Sequence, residues 1–375
     1  MQSVIKLNEF QRVWEHTGPE VLEAVETVGK SGWYVLGRHV EEFERGLADY
    51  WGLRHVVGVA SGLDAIEICL RSLGIAEGDE VLTTPLSAFA TTLAITRAGA
   101  APVFCDVDET GLLDLELCRD VLTRHSEMSW LLPVHLYGHA LDLQALESLR
   151  DDFEITIVED CAQSIGACSR GRVTGSVGQA AATSFYPTKN LGALGDAGAI
   201  LTDRDDVAES ARALRHYGQS STYVHDLAGL NSRLDEVQAA ILARVFLPRL
   251  PGWNERRRAV ADRYREGIDN PAISIPPIPP GSESVWHLFP VLVNGADRES
   301  FMTHMGALGV QTGIHYPRLI TEQKALESCG GARIEGTLER AVRYAACEVS
   351  LPIHPFLSDE EVDSVTVACN SWRPR

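Results

Sequence analysis

Seven short apolar runs alternate with helical patterns along the first two-thirds of this 375-residue chain, and that alternation limits the fold more than any other feature. The runs are His55–Val59, Glu80–Thr84, Ala101–Asp106, Trp130–Val134, Ile155–Glu159, Ala180–Tyr186 and Ala197–Leu201. Between them lie helical patterns such as Leu63–Leu73, which places Ala65, Ile66, Cys69, Leu70 and Leu73 on one face. Others are Ala90–Ala98, Leu113–Arg124, Leu143–Arg150 and Val207–Tyr217. The strands are continuously apolar rather than alternating, as strands covered on both faces are. This predicts an α/β fold with a mostly parallel central sheet between helical layers.

After Gly229 the texture changes. Leu234–Leu247 reads as a long amphipathic helix, with Leu234, Val237, Ile241 and Val245 at helical spacing. Pro248 and Pro251 are expected to break or kink it before a second helical pattern, Trp253–Ile268. A proline-rich break from Pro271 to Pro280 follows, then a β-type run His287–Val293, a helical Arg298–Gly309 and a terminal helical Asp359–Cys369. The length exceeds one average domain. The expected division is a large domain over residues 1–250 and a smaller α+β C-terminal domain over residues 251–375.

Charge and cysteine usage narrow the function classes. A net charge of −19 argues against nucleic acid and anionic membrane as partners. An anionic ligand must then be held by local donors against the global field. No apolar stretch approaches the roughly 20 residues that span a bilayer, and Met1–Lys6 lacks the pattern of a signal peptide. A cytoplasmic location is the expectation. The eight cysteines and twelve histidines are dispersed, without Cys-x-x-Cys or a His pair at metal spacing, so no metal is expected.

The chemistry concentrates in two segments. Val158-Glu159-Asp160-Cys161-Ala162-Gln163 ends an apolar run in an acid, and Thr183-Ser-Phe-Tyr-Pro-Thr-Lys-Asn190 places Lys189 just after another. A lysine beside the end of a buried strand loses charge stabilisation and can act as a neutral amine. An aspartate at the end of a parallel strand reaches the crevice where α/β sheets bind ligands. Lysine for a Schiff base and aspartate for a pyridinium nitrogen are what pyridoxal phosphate (PLP) requires. Taken singly, Lys189 reads equally as a solvated loop residue and Asp160 as a helix cap. Ser61-Gly62-Leu63-Asp64-Ala65 follows a strand and opens a helix, where free N–H groups can hold phosphate, or where Ser61 is simply an N-cap. Asn231 or Ser232 likewise reads as an N-cap for the long helix, with Asp235 and Glu236 in its first turn.

The order of these pieces decides between readings. The chain resembles the DegT-type sugar-nucleotide aminotransferases, a branch of the fold-type I PLP-dependent enzymes, over nearly its whole length. The resemblance runs through Gly32–Gly37, Val56–Ala65, Pro133–Gly138, Glu159–Gln163, Ser184–Asn190, Asn231–Ala240 and His315–Pro317. It implies that Lys189 carries the Schiff base, Asp160 pairs with the pyridinium nitrogen and Gln163 bonds the cofactor's phenolic oxygen. Gly62, Leu63 and Ser184 would hold the phosphate, and Asn231 would reach it from the other subunit of a homodimer with shared active sites. Tyr186, His315 and Tyr316 fall to the substrate. The implied reaction passes an amino group from glutamate to a keto group of a nucleotide-linked deoxy sugar, with Ser61–Ala65 favouring the 3-position. Two departures stand out. Ala88 occupies the place of the family's ring-stacking aromatic, so either a small residue packs the ring face or Phe89 is re-aimed. Gly195-Asp196-Ala197-Gly198 also has alanine where a glycine is usual. A cyclitol aminotransferase, an aminobenzoate-forming dehydratase and a non-catalytic PLP-binding regulator share the same pattern.

Overall fold

The structure is a computed structural model and describes residues 4–327 and 331–374. All seven predicted strands form, most a residue or two shorter than their apolar runs. They are β1 (His55–Val59), β2 (Glu80–Thr83), β3 (Ala101–Phe104), β4 (Trp130–Leu132), β5 (Thr156–Asp160), and then Ala180–Ser184 and Gly198–Thr202. An eighth strand, Arg333–Ile334, was not anticipated and adds to the edge beside β3. The spatial order is β1, Gly198–Thr202, Ala180–Ser184, β5, β4, β2, β3, Arg333–Ile334. Gly198–Thr202 runs antiparallel to both its neighbours, and every other adjacent pair is parallel. The sheet is thus mostly parallel, as expected of its apolar strands.

Helices cover both faces. Two that sequence reasoning missed come first, α1 (Phe10–Ser31) and α2 (Arg38–Trp51). The predicted helices follow as α3 (Gly62–Ser72), α4 (Phe89–Arg97), α5 (Leu115–Arg124), α6 (Leu143–Phe153) and α7 (Asp205–Leu214). One face of the sheet packs Val57, Val158 and Ile200 against Ile68, Ile95 and Val207. The other packs Val56, Ala181 and Leu201 against Phe43 and Leu47 of α2, while Leu82, Val103 and Ile157 meet α5 and α6. Phe43 and Leu47 are fully buried, each contributing about 1.5–3 kcal/mol.

The long helix departs from expectation at both ends. It starts at Glu236 rather than Leu234, with Asp235 as N-cap (α8, Glu236–Ile241). Pro248 does not end it. The chain takes a π turn over Leu242–Phe246 and a 3₁₀ turn over Leu247–Arg249, then continues as α9 (Leu250–Gly267). The widened turn absorbs the missing proline N–H, as π and 3₁₀ insertions do. Beyond α9 a three-stranded antiparallel sheet, Ile273–Ser274, Phe289–Val293 and Glu348–Leu351, packs on the helices Arg298–Ala307 and Asp359–Ser371. Ile5 joins this core and bridges to Val310. The described cysteines are free thiols and Cys329 lies outside the described residues. Among the described residues no helix is long and apolar enough to cross a membrane.

Candidate active site

Asp160 is the last residue of β5 and is buried. Its Oδ1 accepts the Ala162 N–H at 3.0 Å, and its Oδ2 accepts the Thr91 hydroxyl at 2.9 Å. Thr91 in turn lies 3.0 Å from the Ser87 hydroxyl, which must donate to it. Burial pushes the Asp160 carboxyl above the usual range, opposed by the Ala162 and Thr91 bonds and by the charge of Lys189. A buried carboxylate held up in this way gains from a cation placed beside it. Thr91 was not singled out from sequence. Its position as the third residue of α4, two residues after the Phe89 singled out above, was the available signal.

Lys189 sits in the turn after the strand Ala180–Ser184, its N–H donating to the Tyr186 carbonyl at 2.8 Å. Burial lowers its amine to about 8, with Asp160 opposing the shift. Near neutral pH more of the amine is therefore neutral than in a solvated lysine. The turn is fastened from below by Asn190, whose amide donates to Asn254 Oδ1 at 2.8 Å and to the Val285 carbonyl at 2.9 Å. The chain therefore brings Asp160 and Lys189 within electrostatic reach of one another, with His287 and His315 also feeling the lysine's charge.

Gln163 faces the same space. Its carbonyl accepts the Tyr137 N–H at 2.8 Å and its amide donates to the Tyr316 hydroxyl at 3.2 Å, leaving one amide hydrogen uncommitted. Tyr137 donates its own hydroxyl to the His315 carbonyl at 2.8 Å. Gly138 beside it takes φ +92, and a Cβ there would meet the His287 nitrogen at 2.5 Å. The residue must therefore be glycine for the two segments to meet.

The start of α3 forms an anion cradle. Ser61 caps the helix by accepting the Asp64 N–H at 3.1 Å. The N–H groups of Gly62 and Leu63 belong to a first turn that has no intrahelical acceptors. A Cβ on Gly62 would lie 2.6 Å from the Ser184 Cβ, and one on Gly198 would lie 2.4 Å from the Ser61 carbonyl. The start of α3 is thus packed closely against both strand ends, at Ser184 and at Gly198. Ser184 accepts the Tyr186 N–H at 3.2 Å and keeps its hydroxyl hydrogen to donate. Ser232 ties the next segment in, donating to Asp64 Oδ2 at 2.7 Å and accepting the Ala60 N–H at 3.1 Å.

Asn231 is exposed and lies five residues before α8, so it does not cap that helix, and neither does Ser232. Glu236 stands in the first turn of α8, as expected. Its carboxylate accepts the N–H groups of Gly37, His39 and Val40 at 2.9–3.1 Å and so caps α2. Tyr186 is exposed, and Ala88 is the N-cap residue of α4. Phe89 turns away into a small cluster with Phe104, Ile320 and Leu326, which leaves Ala88 rather than an aromatic at that place. One buried group, His135, Glu159 and Cys161, has metal-like spacing. Glu159 there already accepts the N–H groups of Gly175, Val177 and Gly178 and meets His135 Nε2 at 2.8 Å. Both its oxygens are doubly bonded to donors, and it reads as a hub that fastens the 175–178 turn to β5.

Over 369 residues the chain is 41% identical to the dTDP-3-amino-3,4,6-trideoxy-α-D-glucose transaminase of Streptomyces venezuelae, covering 98% of this chain and 96% of that protein. The crystal structure of S. venezuelae DesV in complex with a ketimine intermediate superposes with a TM-score of 0.93 at 41% identity, covering 99% of each chain. NtdA of Bacillus subtilis, solved with bound cofactor PMP, gives 0.85 at 30% identity over 94% of this chain and 81% of that one. The profile of the DegT/DnrJ/EryC1/StrS aminotransferase family matches residues 15–370. With the fold of its solved relatives and the motifs in family order, the chain belongs to the DegT/DnrJ/EryC1/StrS aminotransferase family.

Proposed function

We propose that the protein is a PLP-dependent aminotransferase that passes an amino group from glutamate to the 3-keto group of a nucleotide-linked deoxy sugar. The observation that carries this is that a Lys189 amine lowered by burial and a buried Asp160 feel each other's charge at the ends of two paired strands, with the Gly62 helix start packed on Ser184. These residues fit the cofactor: a cation-seeking carboxylate, an amine and a cradle that a Cβ would fill. PLP, when bound, supplies an electron sink for the bonds broken at the substrate carbon. Asp160 then holds the proton on the ring nitrogen, kept in place by Thr91 and Ala162. Lys189 would tether the cofactor and, as a free amine, would take up and return the proton at the substrate carbon. The free amide hydrogen of Gln163 serves the phenolic oxygen, and Ala88 packs the ring face. Gly62, Leu63 and Ser184 hold the phosphate, while Tyr186, His315 and Tyr316 meet the sugar substrate. The 3-amino-sugar transaminase activity of the S. venezuelae relative and the Ser61–Ala65 segment support the 3-position. We place the cofactor domain at residues 1–250, the smaller domain at 251–375, and the reaction in the cytoplasm. A panel of keto-sugar nucleotides assayed with glutamate tests the substrate class. Turnover of a 3-keto deoxy sugar is expected. Amination of free cyclitol ketones alone would reassign it.

The same reading makes the active unit a homodimer with shared sites, Asn231 serving the other chain's cofactor. Its support is an exposed Asn231 whose side chain has no hydrogen bond among the described residues, beside the exposed Tyr217, whose N–H donates to the Leu230 carbonyl at 2.8 Å. The cradle also lacks a lysine or arginine, so a phosphate dianion on this acidic chain needs further donors. Mixing a Lys189→Ala chain with an Asn231→Ala chain checks this, given that the Asn231→Ala homodimer is impaired and subunits exchange. One pocket of the mixed dimer then carries both lesions and the other neither, so activity is expected to recover in part. Exchange without recovery, or an active monomer in sedimentation, contradicts sharing.

A further inference from the structure

His315 is wired to a buried acid. Its Nδ1 lies 2.8 Å from the Ser350 hydroxyl, and that hydroxyl lies 2.5 Å from Glu348 Oε1. Glu348 Oε2 accepts the His315 backbone N–H at 2.6 Å, which fixes which carboxyl oxygen faces Ser350. The two segments are pinned together by reciprocal backbone bonds between Gly313 and Ser350, at 2.9 and 3.1 Å. Glu348 and Ser350 are wholly buried. The other ring nitrogen, Nε2, has no hydrogen bond among the described residues and belongs to a ring that feels the charge of Lys189. Nothing in the assigned roles uses Glu348 or Ser350.

We propose that Glu348, Ser350 and His315 form a proton wire that sets which ring nitrogen of His315 carries hydrogen, and so lets a neutral histidine give a proton to the substrate's departing oxygen. This rests on the aminotransferase reading above. A serine hydroxyl has one hydrogen, so the chain has only two consistent states. With Glu348 protonated, it donates to Ser350, Ser350 donates to Nδ1, and Nε2 carries a hydrogen. With Glu348 ionised, Ser350 donates to Glu348, Nδ1–H donates to Ser350, and Nε2 is a bare acceptor. In passing from the first state to the second, the Nε2–H bond breaks and its proton goes to the acceptor in the cleft. The Ser350 hydrogen moves to Nδ1, the Glu348 hydrogen moves to Ser350, and the negative charge ends on Glu348. Replacing a keto oxygen by nitrogen expels that oxygen as water, and the expulsion needs such a donor. Glu348 and Ser350 are positioning residues, and His315 is the group that touches substrate.

The groups around the wire suit it. Burial raises the Glu348 carboxyl to about 8, with Ser350, the His315 N–H and the Arg298 charge opposing. Burial and then the Lys189 charge lower His315 to about 4, so the ring stays neutral while Glu348 titrates. Tyr137, Tyr316 and Tyr344 also face Glu348, and burial raises each of their hydroxyls, so none titrates in that range. His287, beside Lys189, is held well below its usual value by burial.

Imidazole ¹⁵N shifts of the PLP-loaded, histidine-labelled protein, with His315→Asn to assign the ring, test this from about pH 6 to about pH 10. The hydrogen is expected to pass from Nε2 to Nδ1 with a midpoint near 8. In Glu348→Gln the amide oxygen keeps the His315 N–H, so its NH₂ faces Ser350 and the hydrogen is expected to stay on Nε2 throughout. Ser350→Ala is expected to uncouple the ring from Glu348. A wild-type ring that keeps one tautomer, or a folded Glu348→Gln that titrates like wild type, overturns the wire. If the protein proves not to be a sugar aminotransferase, the ring shifts still decide the wire.

Discussion

Replacing Lys189 by alanine is expected to leave a folded protein whose transamination rate falls by at least about 10³-fold, since tether and proton carrier are lost together. The fold should not suffer. The lysine's amine is depressed to about 8, so the unfolded chain binds that proton more tightly and the folded state is penalised below that pH. The penalty fades as pH rises from 8 towards the ordinary lysine value. Without cofactor, the alanine variant should therefore melt no lower than wild type at neutral pH, and the difference should shrink at higher pH. Steady-state rate and thermal melting measured on one preparation check both halves. A folded variant with a near wild-type rate removes Lys189 from the mechanism.

Asp160→Asn is expected to keep the cofactor and lose roughly 10²–10³-fold in rate, the scale on which removing a fixed electrostatic partner slows a reaction. The site can accommodate the amide. Its oxygen retains the Ala162 N–H, its NH₂ faces Thr91, and the Thr91 and Ser87 hydroxyls can reverse direction to accept. What the amide cannot supply is the negative charge that keeps a ring nitrogen protonated. Bound cofactor should be quantified beside the rate. Full occupancy with undiminished turnover would reduce Asp160 to a cap for the Ala162 turn.

The parts of the fold that could be read from sequence were those whose cause is local. The strand ends at Asp160 and Ser184 follow from apolar runs stopping at polar residues, and the Gly62 turn from a glycine directly after a cap. The helix α1 was missed because Pro19 reads as a helix break, although Phe10, Trp14, Val21, Val25 and Val28 recur at helical spacing on either side of it. Val21, Ala24 and Val28 face the core while Phe10, Trp14, Leu22 and Val25 stay exposed. The start of α8 was misplaced because Glu236 is committed to capping α2, a partner about 200 residues away that no local pattern reveals. Thr91 and Asp160 are 69 residues apart, and Glu348 reaches His315 across 33. Such pairs are set by strand order, which composition and spacing do not encode one residue at a time. The family motifs pointed to the residues proposed to meet the cofactor. They did not identify those that hold them in place.

The central claim is that this site removes an amino group from glutamate onto PLP. The direct measurement is the visible absorption of the PLP-loaded protein on adding glutamate alone, with 2-oxoglutarate quantified in the same sample. The account predicts loss of the visible band with stoichiometric 2-oxoglutarate, and no change in the Lys189→Ala variant. A fully loaded, folded protein whose band persists and which releases no 2-oxoglutarate would contradict it.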